Sequence, residues 1–137
     1  MRDLRMISLF LLLTLILACG AQEQSSGSQA SAIRNIDSKE ALNLIENDRD
    51  ILIIDVRTPR EFNAGHIKGA KNINIADSDF QSQIDELERD STYLVYCRTG
   101  NRSGKAIKLM KQLDFKSIYH LQHGITEWVG EGNPVEK

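Results

Sequence analysis

At 137 residues the chain has room for one ordinary domain and not for two. Apolar residues make up 41% and charged residues 26%, a balance that excludes a disordered or fibrous chain. With 17 basic against 19 acidic residues the net charge is -2, so no overall basic field argues for nucleic acid. A local anion site is compatible with that sum.

In chain order the first element is a processed segment. Arg2 and Arg5 flank Asp3, and Met6 to Ala18 is almost wholly apolar. The run falls short of the ~20 residues a membrane-spanning helix needs. A basic start before a short apolar core reads as a signal peptide, residues 1–18. Ile16-Leu17-Ala18-Cys19 resembles the lipobox of bacterial lipoproteins. That resemblance implies cleavage before Cys19, a diacylglyceryl group on its sulfur and a further acyl chain on its amine. Two or more chains anchor stably, since each buried methylene contributes about 0.8 kcal/mol. The expectation is a domain outside the cytoplasm, lipid-anchored in a bacterial cell envelope. Residues 19–32 form the anchor and its tether. Ala21 to Ala32 is rich in Gln, Ser, Gly and Ala, without apolar periodicity.

Residues 33–137 read as the folded domain. Asp37 or Ser38 caps a first helix, with Glu40 completing a capping-box pattern and Ala41, Leu42, Leu44 and Ile45 as its apolar face. Ile51 to Ile54 is an apolar, β-branched run, as in a strand buried on both faces. Thr58-Pro59-Arg60-Glu61 starts a short helix that Gly65 stops. Ile73 and Ile75 mark a short strand, and Phe80 to Leu87 an amphipathic helix. Tyr93 to Tyr96 is the next strand, followed by Cys97-Arg98-Thr99-Gly100-Asn101-Arg102 and a helix carrying Ala106, Ile107, Met110 and Leu113. Ser117 to Tyr119 forms a last strand and Ile125 to Val129 a closing helix. Strands alternating with helices predict an α/β fold with a mainly parallel sheet. Ligands bind beyond the carboxyl ends of such strands, where Cys97 lies.

The chain has two cysteines, Cys19 and Cys97, so acylation of Cys19 leaves Cys97 without a disulfide partner. Each neighbour of Cys97 has a physical use. Backbone N–H groups at a helix start have no acceptor inside the helix and bring the positive end of its dipole. Arg98 and Arg102 add two full charges, and all of these favour thiolate over thiol. Gly100 permits a turn that a Cβ obstructs, and Asn101 tolerates a left-handed conformation. The same groups cradle an anionic substrate.

Cys-Arg-Thr-Gly-Asn-Arg resembles the active-site loop of single-domain rhodaneses, the thiosulfate:acceptor sulfurtransferases. Asp55-Val56-Arg57, Glu61-Phe62 and Gly65 to Ile73 resemble the family's upstream signatures in the same order. Leu121-Gln122-His123-Gly124 with Trp128 resembles its closing motif, although a second Gly is more usual where His123 stands. The resemblance implies a mainly parallel five-stranded sheet flanked by helices. It implies that Cys97 attacks a donor such as thiosulfate and becomes a persulfide, which a thiol or cyanide acceptor discharges. Arg98 binds the donor's anionic end, while Arg102 supports the loop or the same anion. The N–H groups from Arg98 through Thr99, Gly100, Asn101 and Arg102 to Ser103 hold the persulfide, without general base, metal or cofactor. Asp55 and Arg57 are expected as an ion pair that braces the active-site side. Glu61 reads as a helix cap, and His66, His120 and His123 as loop histidines, with no metal at that spacing. The domain is expected as a monomer.

Three other functions share the frame. A cysteine phosphatase needs five residues between Cys and Arg, whereas Cys97 and Arg102 have four between them and Ser103 fills the phosphatase arginine slot. Tyr96 also stands where such phosphatases commonly have His. A partner-docking module lacks the cysteine that this chain keeps. A persulfide carrier has the same chemistry at Cys97, and sequence does not separate it from a thiosulfate-consuming enzyme.

Overall fold

The computed structural model describes residues 31–137. The signal segment, Cys19 and the tether up to residue 30 lie outside the described residues. Five strands and five helices alternate: β1 (Ala32–Ile36), α1 (Ser38–Asn47), β2 (Leu52–Asp55), α2 (Pro59–Ala64), β3 (Lys71–Asn72), α3 (Phe80–Asp85), β4 (Thr92–Tyr96), α4 (Asn101–Gln112), β5 (Ser117–Leu121) and α5 (Gly124–Gly130). The strands form one sheet in the order β1-β5-β4-β2-β3, every pairing parallel. The predicted α/β fold is therefore observed. Among the described residues, no helix is long and apolar enough to cross a membrane.

Residue alternation along the central strands divides the core into two layers. Tyr93, Val95 and Cys97 fall on one face with Ile54, Ile118 and the α4 residues Ala106, Ile107 and Met110. Leu94 and Tyr96 fall on the other with Ile53, Leu121, Ile125 and Trp128. Cys97 thus continues the alternation of β4 and is packed as a core residue, 1% exposed, on the α4 side.

Three strands differ from the sequence reading, β5 by running on from Tyr119 to Leu121. β1 was not predicted, because Ala32–Asn35 are exposed on the sheet edge and only Ile36 is buried, so no apolar run marks it. The short strand expected at Ile73 and Ile75 lies earlier, at Lys71–Asn72. Ile73 and Ile75 still donate to the carbonyls of Asp55 and Val56, at 3.0 and 3.1 Å. Their apolar side chains marked burial, which continues past the end of the ladder. At α1 only half of the capping box forms. Asp37 accepts from the Glu40 N–H at 2.8 Å, but the Glu40 carboxylate turns to Arg34. Ser38 instead donates its N–H and its hydroxyl to Glu127 on α5.

Asp55 closes β2 in full burial, and the turn that follows brings Arg57 back onto it. The guanidinium donates to both carboxylate oxygens, with contacts of 3.0 Å from Nε and 2.6 Å from one terminal nitrogen. The Arg57 N–H adds a bond to Oδ1 at 2.9 Å, and the guanidinium also holds the Gly65 carbonyl at the end of α2. Burial disfavours the Arg57 charge, but the Asp55 hydrogen bonds and charge outweigh it and raise its pKa. Asp55→Asn leaves that cation buried without its counter-charge, which costs about 3–5 kcal/mol. Urea denaturation of the variant should show a midpoint lowered accordingly; an unchanged midpoint would show that the pair does not brace the fold.

Candidate active site

β4 ends at Tyr96 and α4 begins at Asn101, so four residues turn the chain through the site. The turn depends on Gly100, which takes φ +94°. A Cβ there would stand 1.9 Å from the Gln122 carbonyl oxygen. The left-handed position expected at Asn101 is thus held by Gly100, and Asn101 is already the first residue of α4. The reason is contact with the β5–α5 turn, where only a residue without a side chain fits.

The loop curls around the Cys97 sulfur. The Gly100 N–H donates to Sγ at 3.1 Å, and the Ser103 hydroxyl lies 3.4 Å from it. Burial alone raises the thiol pKa. The Ser103 hydroxyl, with the N–H groups of Ser103, Thr99 and Gly100, outweighs burial, and the net shift is downward. Hydrogen bonds therefore favour the thiolate, where the sequence reading also invoked two guanidinium charges. Neither arginine donates to Sγ among the described hydrogen bonds. Arg98 and Thr99 are both exposed in the loop.

Arg102 is engaged elsewhere. Its guanidinium forms a two-point pair with Glu61, at 2.8 and 2.7 Å. Of the two roles expected for it, this geometry is that of loop support. Glu61 also closes a capping box on α2, accepting from the Thr58 N–H and hydroxyl while Thr58 Oγ1 accepts from the Glu61 N–H. The cap was legible in the sequence; the ion pair was not, because 41 residues separate its partners.

His120 departs from the sequence reading. It lies within β5, not in a loop, because the strand runs on to Leu121. Its Nε2 is 2.8 Å from the Ser103 hydroxyl and its Nδ1 is 3.0 Å from Asn35 Oδ1 on β1. The missed signal was parity: Ile118 and His120 share a face, and Ile118 packs toward α4. His123 stands immediately before α5, and His66 stacks on Phe62 with its Nδ1 3.0 Å from the Phe62 carbonyl. Lys105, Lys108 and Lys111 are exposed along α4.

The Arg102 hydrogen bonds and those from Thr58 depress the Glu61 carboxyl to about 2, with burial opposing them. A depressed carboxyl stabilises the fold above its unfolded pKa of about 4.3, and that contribution disappears as pH falls toward the folded value. Partial exposure of both partners reduces the stabilisation to about 1–2 kcal/mol. Glu61→Gln keeps a capping residue and loses the charge. It should be less stable than the native chain by that amount at pH 7 and indistinguishable near pH 2, as followed by denaturant titrations across pH. A pH-independent difference would mean that the cap, not the ion pair, holds the loop.

Comparison with known proteins agrees with this architecture. Residues 37–131 match the model of the Rhodanese-like domain. The crystal structure of a rhodanese-related protein from Thermoplasma volcanium is 36% identical, with TM-score 0.64, covering 75% of this chain and 97% of that one. The putative sulfurtransferase YtwF of Bacillus subtilis is 30% identical over 102 residues, 74% of this chain and 96% of that protein. The probable adenylyltransferase/sulfurtransferase MoeZ of Mycobacterium tuberculosis is 32% identical over 116 residues, 85% of this chain but only 29% of that longer protein. The chain belongs to the rhodanese-like domain family.

Proposed function

We propose that the protein is a sulfurtransferase that moves a sulfane sulfur from a donor such as thiosulfate to a thiol or cyanide acceptor. The observation that carries this reading is the Cys97 sulfur at the floor of a cradle of donors, almost closed to solvent. The thiolate attacks the outer sulfur of the donor, a Cys97–sulfur bond forms, and the donor's sulfur–sulfur bond breaks with its electron pair leaving on sulfite. The persulfide sulfur, still anionic, faces the N–H groups at the start of α4. Exposure of Arg98 in the loop supports its role as the cation that meets the anionic end of the donor.

The same geometry disfavours phosphate. Ser103, in the slot where a phosphatase has its arginine, is fully buried against the sulfur, and Arg102 is bound to Glu61. A narrow site lined by one hydroxyl suits a single sulfur atom better than a tetrahedral oxyanion. A persulfide carrier is the second reading, supported by 27% identity over 108 residues to the putative sulfur carrier protein YrkF of Bacillus subtilis. That alternative differs in the donor and shares the chemistry at Cys97.

Incubation of the full-length chain with thiosulfate should add about 32 Da, one sulfur atom, with no addition to Cys97→Ser. Intact-mass measurement reads the result; no adduct with thiosulfate or other sulfane donors would overturn the sulfur-transfer reading. We also propose that Cys19 carries the lipid anchor that holds the domain outside the cytoplasm at the cell envelope. Cys19→Ser should block processing or release the protein from the membrane fraction. Membrane attachment that survives this change would point to an uncleaved helix.

A further inference from the structure

A continuous chain of polar contacts runs from the sulfur to the sheet edge: Cys97 Sγ to Ser103 Oγ at 3.4 Å, Ser103 Oγ to His120 Nε2 at 2.8 Å, and His120 Nδ1 to Asn35 Oδ1 at 3.0 Å. It joins α4, β5 and β1, so no single motif contains it. The Asn35 carbonyl oxygen accepts, which places a proton on Nδ1 of His120 and leaves Nε2 with its lone pair toward Ser103. Ser103 has one hydroxyl proton and three acceptors within reach: Nε2, Sγ and the Gly100 carbonyl at 3.1 Å. Given to neutral His120, that proton is not available to the sulfur. With His120 protonated, Nε2–H donates to Ser103 Oγ and the hydroxyl is free to turn to Sγ.

We propose that Asn35, His120 and Ser103 form a relay that accepts the Cys97 proton and holds it on His120 while the sulfur acts as nucleophile. The S–H bond of Cys97 breaks and its proton passes to Ser103 Oγ, whose own proton passes to His120 Nε2. Thiol and neutral imidazole become thiolate and imidazolium, with no change in total charge and no other reactant. His120 is a positioning residue, because it acts through Ser103 and does not touch the sulfur. Burial lowers the His120 pKa and the His123 charge adds to that, while a Gly100 backbone contact opposes both; proton acceptance by the ring therefore rests on the Ser103 and Asn35 contacts and not on this shift. The groups facing His120 are Asn35 from β1, its register neighbour Val95 from β4, Ser103 and Gly104 from α4, and His123 from the following turn. Arg102, which interacts electrostatically with the sulfur, is already compensated by Glu61. The inference rests on the reading of Cys97 as the sulfur-carrying nucleophile, but its test reads the thiolate directly.

The test uses the full-length chain carrying Cys19→Ser, so that Cys97 is its one thiol, and follows alkylation by iodoacetamide from pH 5 to 10. His120→Gln should raise the midpoint by about one pH unit, leaving a roughly ten-fold smaller fraction of Cys97 ionised below the midpoint, with a plateau at high pH no lower than that of the native chain. Ser103→Ala should raise it at least as far, and adding His120→Gln to Ser103→Ala should change nothing more. An unmoved midpoint in His120→Gln, or a shift that persists without Ser103, would overturn the relay. Should His120→Gln fail to fold, NMR titration of the His120 ring supplies the reciprocal measurement. Replacing Cys97 by Ser should then lower the His120 midpoint, and an unchanged midpoint overturns the proposal. A shifted alkylation profile without a thiosulfate adduct would sink the sulfur-transfer reading and leave the relay standing; an adduct with an unshifted profile would do the reverse.

Discussion

The loop after β4 is docked backbone to backbone on the turn that opens α5, and the site follows from that contact. The Ile125 N–H donates to the Cys97 carbonyl at 2.9 Å and the Thr126 N–H to that of Arg98 at 3.1 Å. Two glycines in left-handed conformations make the approach possible. A Cβ on Gly100 would meet the Gln122 oxygen, and one on Gly124 would come within 2.4 Å of the Arg98 carbonyl. With the carbonyls of the loop held outward by α5, its N–H groups are left to face the sulfur. The one-sided array of donors is thus created by tying loop carbonyls to a neighbouring helix. A flexible loop of the same sequence would have no reason to present one side of its peptide groups.

The two carboxylate–guanidinium pairs complete this frame from the other side. Asp55 and Arg57 fix the turn between β2 and α2, and Arg57 also holds the carbonyl at the end of α2. That helix carries Glu61, which reaches Arg102 in the first turn of α4. The central strand β4 therefore delivers Cys97 between two supports: α5 grips the loop's carbonyls and α2 grips its arginine. Tyr96 joins them, accepting the Ile67 N–H through its hydroxyl while the Arg57 guanidinium lies over its ring.

What the sequence disclosed follows from the range of the interactions. Cys97, the helix start beyond it and the turn at Gly100 belong to a contiguous stretch, so local spacing was enough to read them. The Thr58–Glu61 cap is equally local. β1 escaped because an exposed edge strand has no apolar run, and His120 escaped because its strand was read two residues too short. The Glu61–Arg102 pair and the Ser103–His120–Asn35 contacts join residues brought together only by the sheet order, which came from family likeness and not from periodicity. A polar side chain facing a helix across a parallel sheet leaves no spacing signature of its own.

These long-range contacts matter to the chemistry because a thiolate held by too much positive charge is a poor nucleophile. Lowering a thiol pKa raises the fraction ionised but weakens each thiolate, and the best attacking thiol has a pKa near the ambient pH. Two unpaired guanidinium groups beside Cys97 would push far past that optimum. Glu61 instead neutralises Arg102, and the sulfur is left to neutral donors, the Gly100 N–H and the Ser103 hydroxyl. Burial pulls in the opposite direction, so the net lowering is a balance of opposed effects. Such a site favours the thiolate of its cysteine through neutral donors. Arg98 stays exposed in the same loop, outside the hydrogen bonds to the sulfur. The positive charge of Arg102 is met by a carboxylate and not by the sulfur.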